Sequence, residues 1–351
     1  MSQQTELIAH DLAALTERAA QYAAASSGEG TRAAYRSAWR GYTAWCATVG
    51  YEPLSGDSGL VALYLTRRAE DGLSISSLRV ARAAIRAAHH LAGVQLNFDD
   101  ARLAMVMDGI ARSRADQRRR QAAAAGPDVM RRLLAALPSL VTPSAAAPAL
   151  AARHRAMLLI GFGAALRRSE IVALRVCDVT EVERRGLSIR IRRSKADQHG
   201  QGRTIAVWAN PRDRDFCPVI AFSNWMTFRR QATDWTSVDG PVDAWRAERA
   251  LFCAVGTAGI LEGETMSDKI VARLIKQACA AAGLDPTKFS GHSLRRGLLT
   301  AAGDLQLPLA DIMRQSRHKS VETALSYIET GDAWRNNITE AVFKAAAPKE
   351  A

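Results

Sequence analysis

Four short stretches carry side chains that could do chemistry together. They are "ALRRSEIVAL" with Arg167 and Glu170, "RSKADQHG" with Lys195, "GHSLRRG" with His292 and Arg295, and "RHKSVETALSY" with His318 and Tyr327. Guanidiniums bind oxyanions through paired donors in a fixed geometry that a lysine ammonium cannot imitate. Histidine moves protons near neutral pH. A tyrosine phenol, with an ordinary pKa of about 10, becomes a nucleophile only when its proton is taken up in a cationic setting. Read singly, each residue has a plainer explanation. An arginine beside an apolar helix is commonly half of an ion pair, a lysine at a hairpin tip is commonly solvated, and a tyrosine closing an amphipathic stretch commonly packs with its hydroxyl at the rim. Tyr327 follows His318 by 327 − 318 = 9 residues, and His292 and Arg295 are three apart, so they share a face if that segment is helical.

The surrounding pattern must position these groups. "DVMRRLLAALP" and "ARHRAMLLIGFGAALRRSEIVALRVCDV" read as helices, the second rich in positions suited to burial. "LSIRIRR", residues 187–193, alternates Leu187, Ile189 and Ile191 with Ser188, Arg190 and Arg192, which is the pattern of a half-buried strand. "RTIAVW" is its return strand, with Ile205 and Val207 apolar, and "SKADQHGQG" between them suits a long polar hairpin tip. The rest reads as mostly helical to "WRNNITEAVFKAAA", in which Trp334, Ile338, Ala341 and Val342 recur at helical spacing after a break at Gly331-Asp332. The expectation is a mainly α chain in which helices carry a small antiparallel sheet.

Upstream, "TRAAYRSAWRGYTAWCATVG" reads as a helix with Thr31 as N-cap and Gly50 as its stop. Tyr35, Trp39, Tyr42, Cys46 and Val49 form its apolar face, and Arg32, Arg36 and Arg40 a basic row. "SSLRVARAAIRAAHHLAG" repeats the design, capped by Ser76 or Ser77. Its inward face is Leu78, Ala81, Ile85, Ala88 and Leu91 or Ala92, and its basic row is Arg79, Arg82 and Arg86. An arginine row is often only a solvated face. Two rows in one small helical unit suggest contact with a nucleic-acid backbone. The charged run "RSRADQRRRQAAAAGP", ending in Gly126-Pro127, reads as a linker. The expected organisation is a helical unit over 1–111, a basic linker over 112–127 and a second domain over 128–351.

Composition narrows the partner class. The 351 residues are 48% apolar and carry 47 Lys and Arg against 35 Asp and Glu, a net charge of +12. A globular chain that basic commonly meets a polyanion. The longest apolar run, Ala156 to Leu166, falls far short of the ~18 residues of a membrane span, and the polar start "MSQQTELIAHDL" lacks a signal-peptide pattern, so a cytoplasmic location without membrane contact is expected. The five cysteines are scattered with no C-x-x-C pair, which argues against a disulfide framework and against zinc. His89, His90 and His154 lack ligand spacing and read as helix-surface residues. No phosphate-binding G-x-x-x-x-G-K-[ST] loop occurs, nor an acidic cluster suited to paired Mg²⁺, so neither cofactor nor metal is expected.

Taken together, the four stretches resemble the boxes of the tyrosine recombinases of the phage integrase and Cre type, in the same order. "AALRRSE" matches the first arginine box, "RSKADQHG" the hairpin lysine, "HSLR" the H-x-x-R box, and "RHKSVETALSY" the last box with its tyrosine. Two departures stand out. Ala164-Ala165 replaces the common Thr-Gly, and Arg317 replaces the common glycine before the histidine. The resemblance covers the chain from about Asp128 and, more loosely, the helical N-terminal part.

The resemblance implies a helical, SAM-like core-binding domain and a mixed catalytic domain that form a C-shaped clamp on DNA. It implies strand cleavage and rejoining through a 3′-phosphotyrosyl link, with Arg167, Lys195, His292, Arg295 and His318 assisting the nucleophile Tyr327. In such a site Arg167, Arg295 and His318 would bind the phosphate, and His292 is the candidate for helping the phenol lose its proton. Lys195 would protonate the leaving 5′-oxygen, and Glu170 would be structural, orienting Arg167 or a neighbouring helix. Arg32, Arg36, Arg40, Arg79, Arg82 and Arg86 would face DNA. The implied partners are duplex DNA with an inverted-repeat site and further copies of the chain, two per site and four in synapsis, in a nucleoid-associated enzyme. The rival readings are a type IB topoisomerase, which shares the chemistry, and a non-catalytic DNA-binding accessory protein.

Overall fold

The computed structural model describes residues 28–114, 121–192, 202–231, 248–256, 261–328, 339 and 342–343. The chain divides into two units, Met1–Arg120 and Gln121–Ala351.

In the first unit four helices, α1 (Glu29–Val49), α2 (Ser58–Glu70), α3 (Ile75–Leu91) and α4 (Ala101–Ser113), enclose one core. Three N-caps are side chains that satisfy orphan backbone donors. Asp57 accepts from Gly59, Ser74 from Ser77 and Asp100 from Arg102. The core is built on rings: Tyr42 of α1 meets Tyr64 of α2 edge-on at 5.0 Å, and Trp45 lies 5.4 Å from Tyr64. Leu60, Leu65, Leu78, Ile85, Leu103 and Met107 fill the space around them.

Several local expectations change here. The cap of α1 is Gly28 rather than Thr31, because the helix starts one turn earlier and Thr31 already donates its N–H to the Gly28 carbonyl at 2.9 Å. The cap of α3 is Ser74, the serine left in extended backbone, and the Ser76 and Ser77 hydroxyls bond to it. Gly50 does end α1, at φ 75. The inward stripe of α3 does not end on Leu91, which is 87% exposed, or on Ala92. From Ala81 and Ile85 the four-residue step leads to His89. His89 is therefore no surface residue: it is buried, its Nδ1 lies 2.9 Å from the Ile85 carbonyl, and its ring stands edge-on to Trp39. Val49 is likewise exposed.

The second unit is organised on α6 (Ala147–Gly163), which follows α5 (Pro127–Ala136) and the 3-10 turn Leu137–Leu140. Every residue from Ala156 to Phe162 is buried, so α6 is a central helix with neighbours all round. It packs against α8 (Pro218–Arg229) and α10 (Ser293–Asp304). The short α7 (Arg168–Ala173) leads into a three-stranded antiparallel sheet, β1 (Val179–Val182), β2 (Gly186–Ile191) and β3 (Arg203–Trp208). Leu187 pairs with Val207 and Ile189 with Ile205, which puts the apolar set of both strands on the buried face. The tip between β2 and β3, including Lys195, lies outside the described residues. β1 and the small hairpin of β4 (Cys253–Val255) and β5 (Leu261–Thr265) add to the strands read from sequence. α9 (Lys269–Ala281), α11 (Leu309–Ser316) and α12 (Val321–Ile328) complete the unit. Within it His154 is part-buried, its Nε2 3.1 Å from the Arg153 guanidinium, so it too departs from the surface position expected of it.

The stretch 112–127 is tied at both ends. Arg112 and Ser113 close α4, and the Arg114 guanidinium donates to the Leu73 and Ala69 carbonyls near the end of α2. On the other side, the Ala123 N–H donates to the Lys288 carbonyl at 2.7 Å and the Ala125 N–H to the Ser293 carbonyl at 3.0 Å. Residues 121–126 thereby lie across the start of α10, and a Cβ on Gly297 would overlap the Ala125 carbonyl. Gly297→Ala is expected to lower stability by about 1–3 kcal/mol, the usual cost of overpacking a tight contact, seen as an earlier thermal unfolding transition. An unchanged melt would mean that this segment is free to move off α10.

Candidate active site

The turn that leaves α6 is the hub of the site. Ala164 caps the helix, Ala165 adopts φ 48, and the chain then enters Arg167, the N-cap of α7. Glu170, three residues on, folds back over this helix start. Its Oε2 accepts the Arg167 backbone N–H at 2.9 Å and its Oε1 the Arg167 Nη1 at 2.7 Å. This is a capping box in which the carboxylate also suits the positive end of the helix. Glu170 holds a second cation as well: Arg317 Nη2 donates to its Oε2 at 2.7 Å, and both side chains are 3% exposed.

Arg317 ends α11 in left-handed backbone, φ 61, which turns its side chain inward. Its Nη1 donates to the Ala164 carbonyl and its Nη2 to the Ala165 carbonyl, each at 3.2 Å. Arg295, on α10 and almost fully buried, donates Nη1 to the same Ala165 carbonyl at 2.9 Å and Nη2 to His318 Nε2 at 2.9 Å. Burial, then the neighbouring Arg167 and Arg317, pushes the Arg295 pKa down to about 10, which still leaves it charged at neutral pH.

The tautomer of His318 follows from its partners. A guanidinium only donates, so Nε2 accepts and the ring proton sits on Nδ1, 3.0 Å from Ser316 Oγ. Burial, followed by the charges of Arg295, Arg167 and Arg317, pushes the His318 pKa down to about 4. Tyr327, on α12, lies over this histidine with ring centroids 5.2 Å apart and planes 21° apart. The Arg296 guanidinium lies 5.9 Å from the tyrosine ring centroid, Thr300 Oγ1 donates to the Tyr327 carbonyl at 3.1 Å, and the side chain packs with Ala165, Leu299 and Ile312. Three guanidiniums and one carboxylate, with a neutral histidine, leave 3 − 1 = +2 charges around one pocket wall. Such a wall favours an oxyanion.

Of the residues singled out from sequence, Arg167, Glu170, Arg295, His318 and Tyr327 converge from three of the four stretches. His292 is the exposed N-cap of α10, while Arg295 three residues on is buried, so the two do not share one environment. Lys195 falls outside the described residues. Arg296, Ser316 and Arg317 were not anticipated as parts of the site. Arg317 was legible only as a replaced glycine, because nothing in the sequence tells which way a side chain at that turn will point. In the first unit Arg32, Arg36, Arg40 and Arg79 are exposed. Arg82 and Arg86 differ: both guanidiniums lie within 6 Å of the Phe98 ring, and half-buried Arg82 donates to the Phe98 carbonyl at 2.8 Å. Arg82 thus ties α3 to the approach of α4. No helix among the described residues is long and apolar enough to cross a membrane.

A histidine whose folded pKa lies below its unfolded value binds fewer protons folded than unfolded. Its contribution to stability is therefore complete above about pH 6.5 and is lost as the pH falls toward about 4. His154, pushed down to about 4 by burial and Arg153, acts in the same window. Stability should fall between these limits, and His318→Gln should fall less steeply over them. In proton NMR the His318 ring should show no titration down to about pH 5; a midpoint near 6.5 would contradict the neutral, Arg295-bonded ring.

Comparison with known proteins is consistent with this arrangement. A family model described as the phage integrase family matches residues 126–333. An integrase/recombinase xerD homolog of Selenomonas ruminantium is 29% identical over 323 residues, covering 91% of this chain and 86% of that protein. Among solved structures, the Tn1549 transposon integrase in complex with transposon right end DNA aligns with a TM-score of 0.57 at 16% identity, over 92% of this chain and 95% of that one. The XerH site-specific recombinase bound to difH substrate aligns with a TM-score of 0.56 at 16% identity, over 86% and 74%. A lambda integrase dimer bound to a COC′ core site aligns with a TM-score of 0.54 at 17% identity, over 92% and 95%. At those identities the structures establish a shared fold, and the family model, which spans more than half of the sequence, establishes the lineage: the chain belongs to the phage integrase family.

Proposed function

We propose that this protein is a site-specific DNA recombinase that cuts and rejoins strands through a 3′-phosphotyrosyl intermediate on Tyr327. The observation that carries the proposal is the convergence of Arg167 and Arg295 beside His318 and the Tyr327 ring. A phosphodiester resists attack because its oxygens are negative, and attack at phosphorus increases that charge. Two fixed guanidiniums meet it where it develops, the kind of contribution whose loss costs about 10²–10³ in rate. In the forward step a bond forms between Tyr327 Oη and phosphorus while the bond to the 5′-oxygen breaks. His292 is the group proposed to take the phenol proton and Lys195 to protonate the 5′-oxygen, the latter on family resemblance. The ester is conserved in the phosphotyrosyl link, so a 5′-hydroxyl from another strand can reverse the step without a nucleotide cofactor.

The first unit is the proposed core-binding domain, with Arg32, Arg36, Arg40 and Arg79 as its backbone contacts and Arg82 and Arg86 in a supporting role on Phe98. Two protomers per inverted-repeat site and four in synapsis complete the reading. The segment 332–342 is the proposed assembly device, docking on a neighbouring copy. It lies almost wholly outside the described residues, but Val342 and Phe343 are exposed. An open apolar groove lined by Phe162, Val207, Leu298 and Ile312 offers a surface of matching chemistry.

Tyr327→Phe should abolish the covalent protein–DNA adduct while gel-shift affinity for the same DNA stays close to wild type. Because guanidiniums supply the positive charge, wild-type adduct formation should also survive EDTA. An adduct on the Phe variant would remove Tyr327 from the role, and activity lost to EDTA and restored by Mg²⁺ would contradict the cation assignment. Salt dependence tests the first unit. Neutralising Arg36, Arg40 or Arg79 should shallow the slope of log K against log[salt] by about one unit each, and neutralising Arg82 by less. A slope unchanged from wild type in all four variants would return these rows to a solvated face.

A further inference from the structure

Arg317 has no task in the reaction derived above, yet it is among the most buried charges of the chain. It occupies a left-handed position where glycine meets no steric penalty; its Nη1 and Nη2 are committed to Glu170 and to the turn carbonyls of Ala164 and Ala165, while its buried Nε has no hydrogen-bond partner among the described residues.

We infer that Arg317 is a positioning residue that divides Glu170 between two arginines and so keeps Arg167 available to a phosphate. The inference rests on the recombinase reading. An arginine and a carboxylate close into a two-bond fork when both carboxylate oxygens are open. Here Oε2 is already taken by the Arg167 backbone N–H and by Arg317, and Arg167 reaches the carboxylate side chain to side chain through Nη1 on Oε1 alone. The charge balance points the same way. Among Arg167, Arg295 and Arg317, Glu170 cancels Arg167 when Arg317 is absent, 1 − 1 = 0, and leaves Arg295 alone uncompensated; with Arg317 present, two charges remain. Arg317 and Arg295 also share the Ala165 carbonyl, so one side chain registers both phosphate-binding arginines against the same turn. Two residues with positive φ, Ala165 and Arg317, meet at that contact. This ties the two departures from the family pattern, the replaced Thr-Gly and the replaced glycine, into one feature.

The test uses the full chain. Arg317→Gly removes the guanidinium while suiting the backbone at that position, and E170Q in the same chain then removes the carboxylate charge that would otherwise cancel Arg167. The DNA probe is a duplex carrying the inverted repeats that flank the gene, nicked to trap the covalent adduct. Arg317→Gly should slow adduct formation by about ten- to a hundredfold, the scale of a small misplacement of a reacting group, with gel-shift affinity within a few fold of wild type. The R317G/E170Q chain should recover at least part of that rate, because Arg167 is released from a carboxylate it would otherwise neutralise. A wild-type rate in R317G, or a double variant slower than R317G, would overturn the inference and leave Arg317 as a fold strut. A wild-type chain that forms no adduct on this DNA would instead fault the recombinase reading. In that event inorganic phosphate serves as the probe, its binding followed by the His318 ring proton, which faces Arg295, Arg167, Arg317 and Tyr327 with Glu170 behind them. Tenfold weaker phosphate binding in R317G upholds the positioning role, and equal binding overturns it.

Discussion

One buried carboxylate governs the cluster. Glu170, 3% exposed, is held by the side chains of Arg167 and Arg317 and by the Arg167 backbone N–H. A charge taken out of water is tolerated only when paired and hydrogen-bonded, and removing one partner of such a pair commonly costs about 3–5 kcal/mol. The start of α7 and the end of α11 are therefore bound to one another, although 317 − 170 = 147 residues separate Glu170 from its second arginine. Everything else in the site is placed relative to that clasp.

The elements around it convert the clasp into a shaped wall. Central α6 is buried all round from Ala156 to Phe162 and ends in the Ala164-Ala165 turn, and that turn offers a carbonyl to Arg295 and Arg317 together. Arg295 reaches it from α10 and continues to His318, fixing that ring as a neutral acceptor. The tyrosine arrives last, on the short α12. Its backbone is tied to Thr300, its ring stacks on a neutral imidazole, and the Arg296 guanidinium lies within 6 Å of the same ring. Arg296 also reaches Gln121, the first residue of the second unit. The 121–126 part of the linker stretch is thus one side chain away from the proposed nucleophile.

Sequence reading found the groups whose chemistry restricts their identity. Arg167, Arg295, His318 and Tyr327 are weak signals singly and stand out through the order of boxes that resemble a known family, and the structure brings these four together. The strands β2 and β3 were equally legible, because alternation in Leu187, Ile189 and Ile191 and in Ile205 and Val207 has only one physical reading. What escaped depends on direction and not on type. Arg317 and Arg82 look like any surface arginine until the left-handed turn and the underlying Phe98 ring are seen. His89 could have been placed inward by stepping four residues from Ile85, but a histidine invites a surface reading. β1 is too short, with Val179 alone buried, to show a period.

The central claim is that Arg167 and Arg295 converge on the phosphate that Tyr327 attacks. The most direct measurement is a structure of the chain on its inverted-repeat DNA with orthovanadate bridging the cleaved strand, since vanadium takes the five-coordinate geometry of phosphoryl transfer. The account predicts vanadium bonded to Tyr327 Oη, with the Arg167 and Arg295 guanidiniums donating to its equatorial oxygens and Arg317 still on Glu170. Vanadium bound elsewhere, or Arg167 closed in a two-bond fork on Glu170 with no contact to the vanadate, would contradict it.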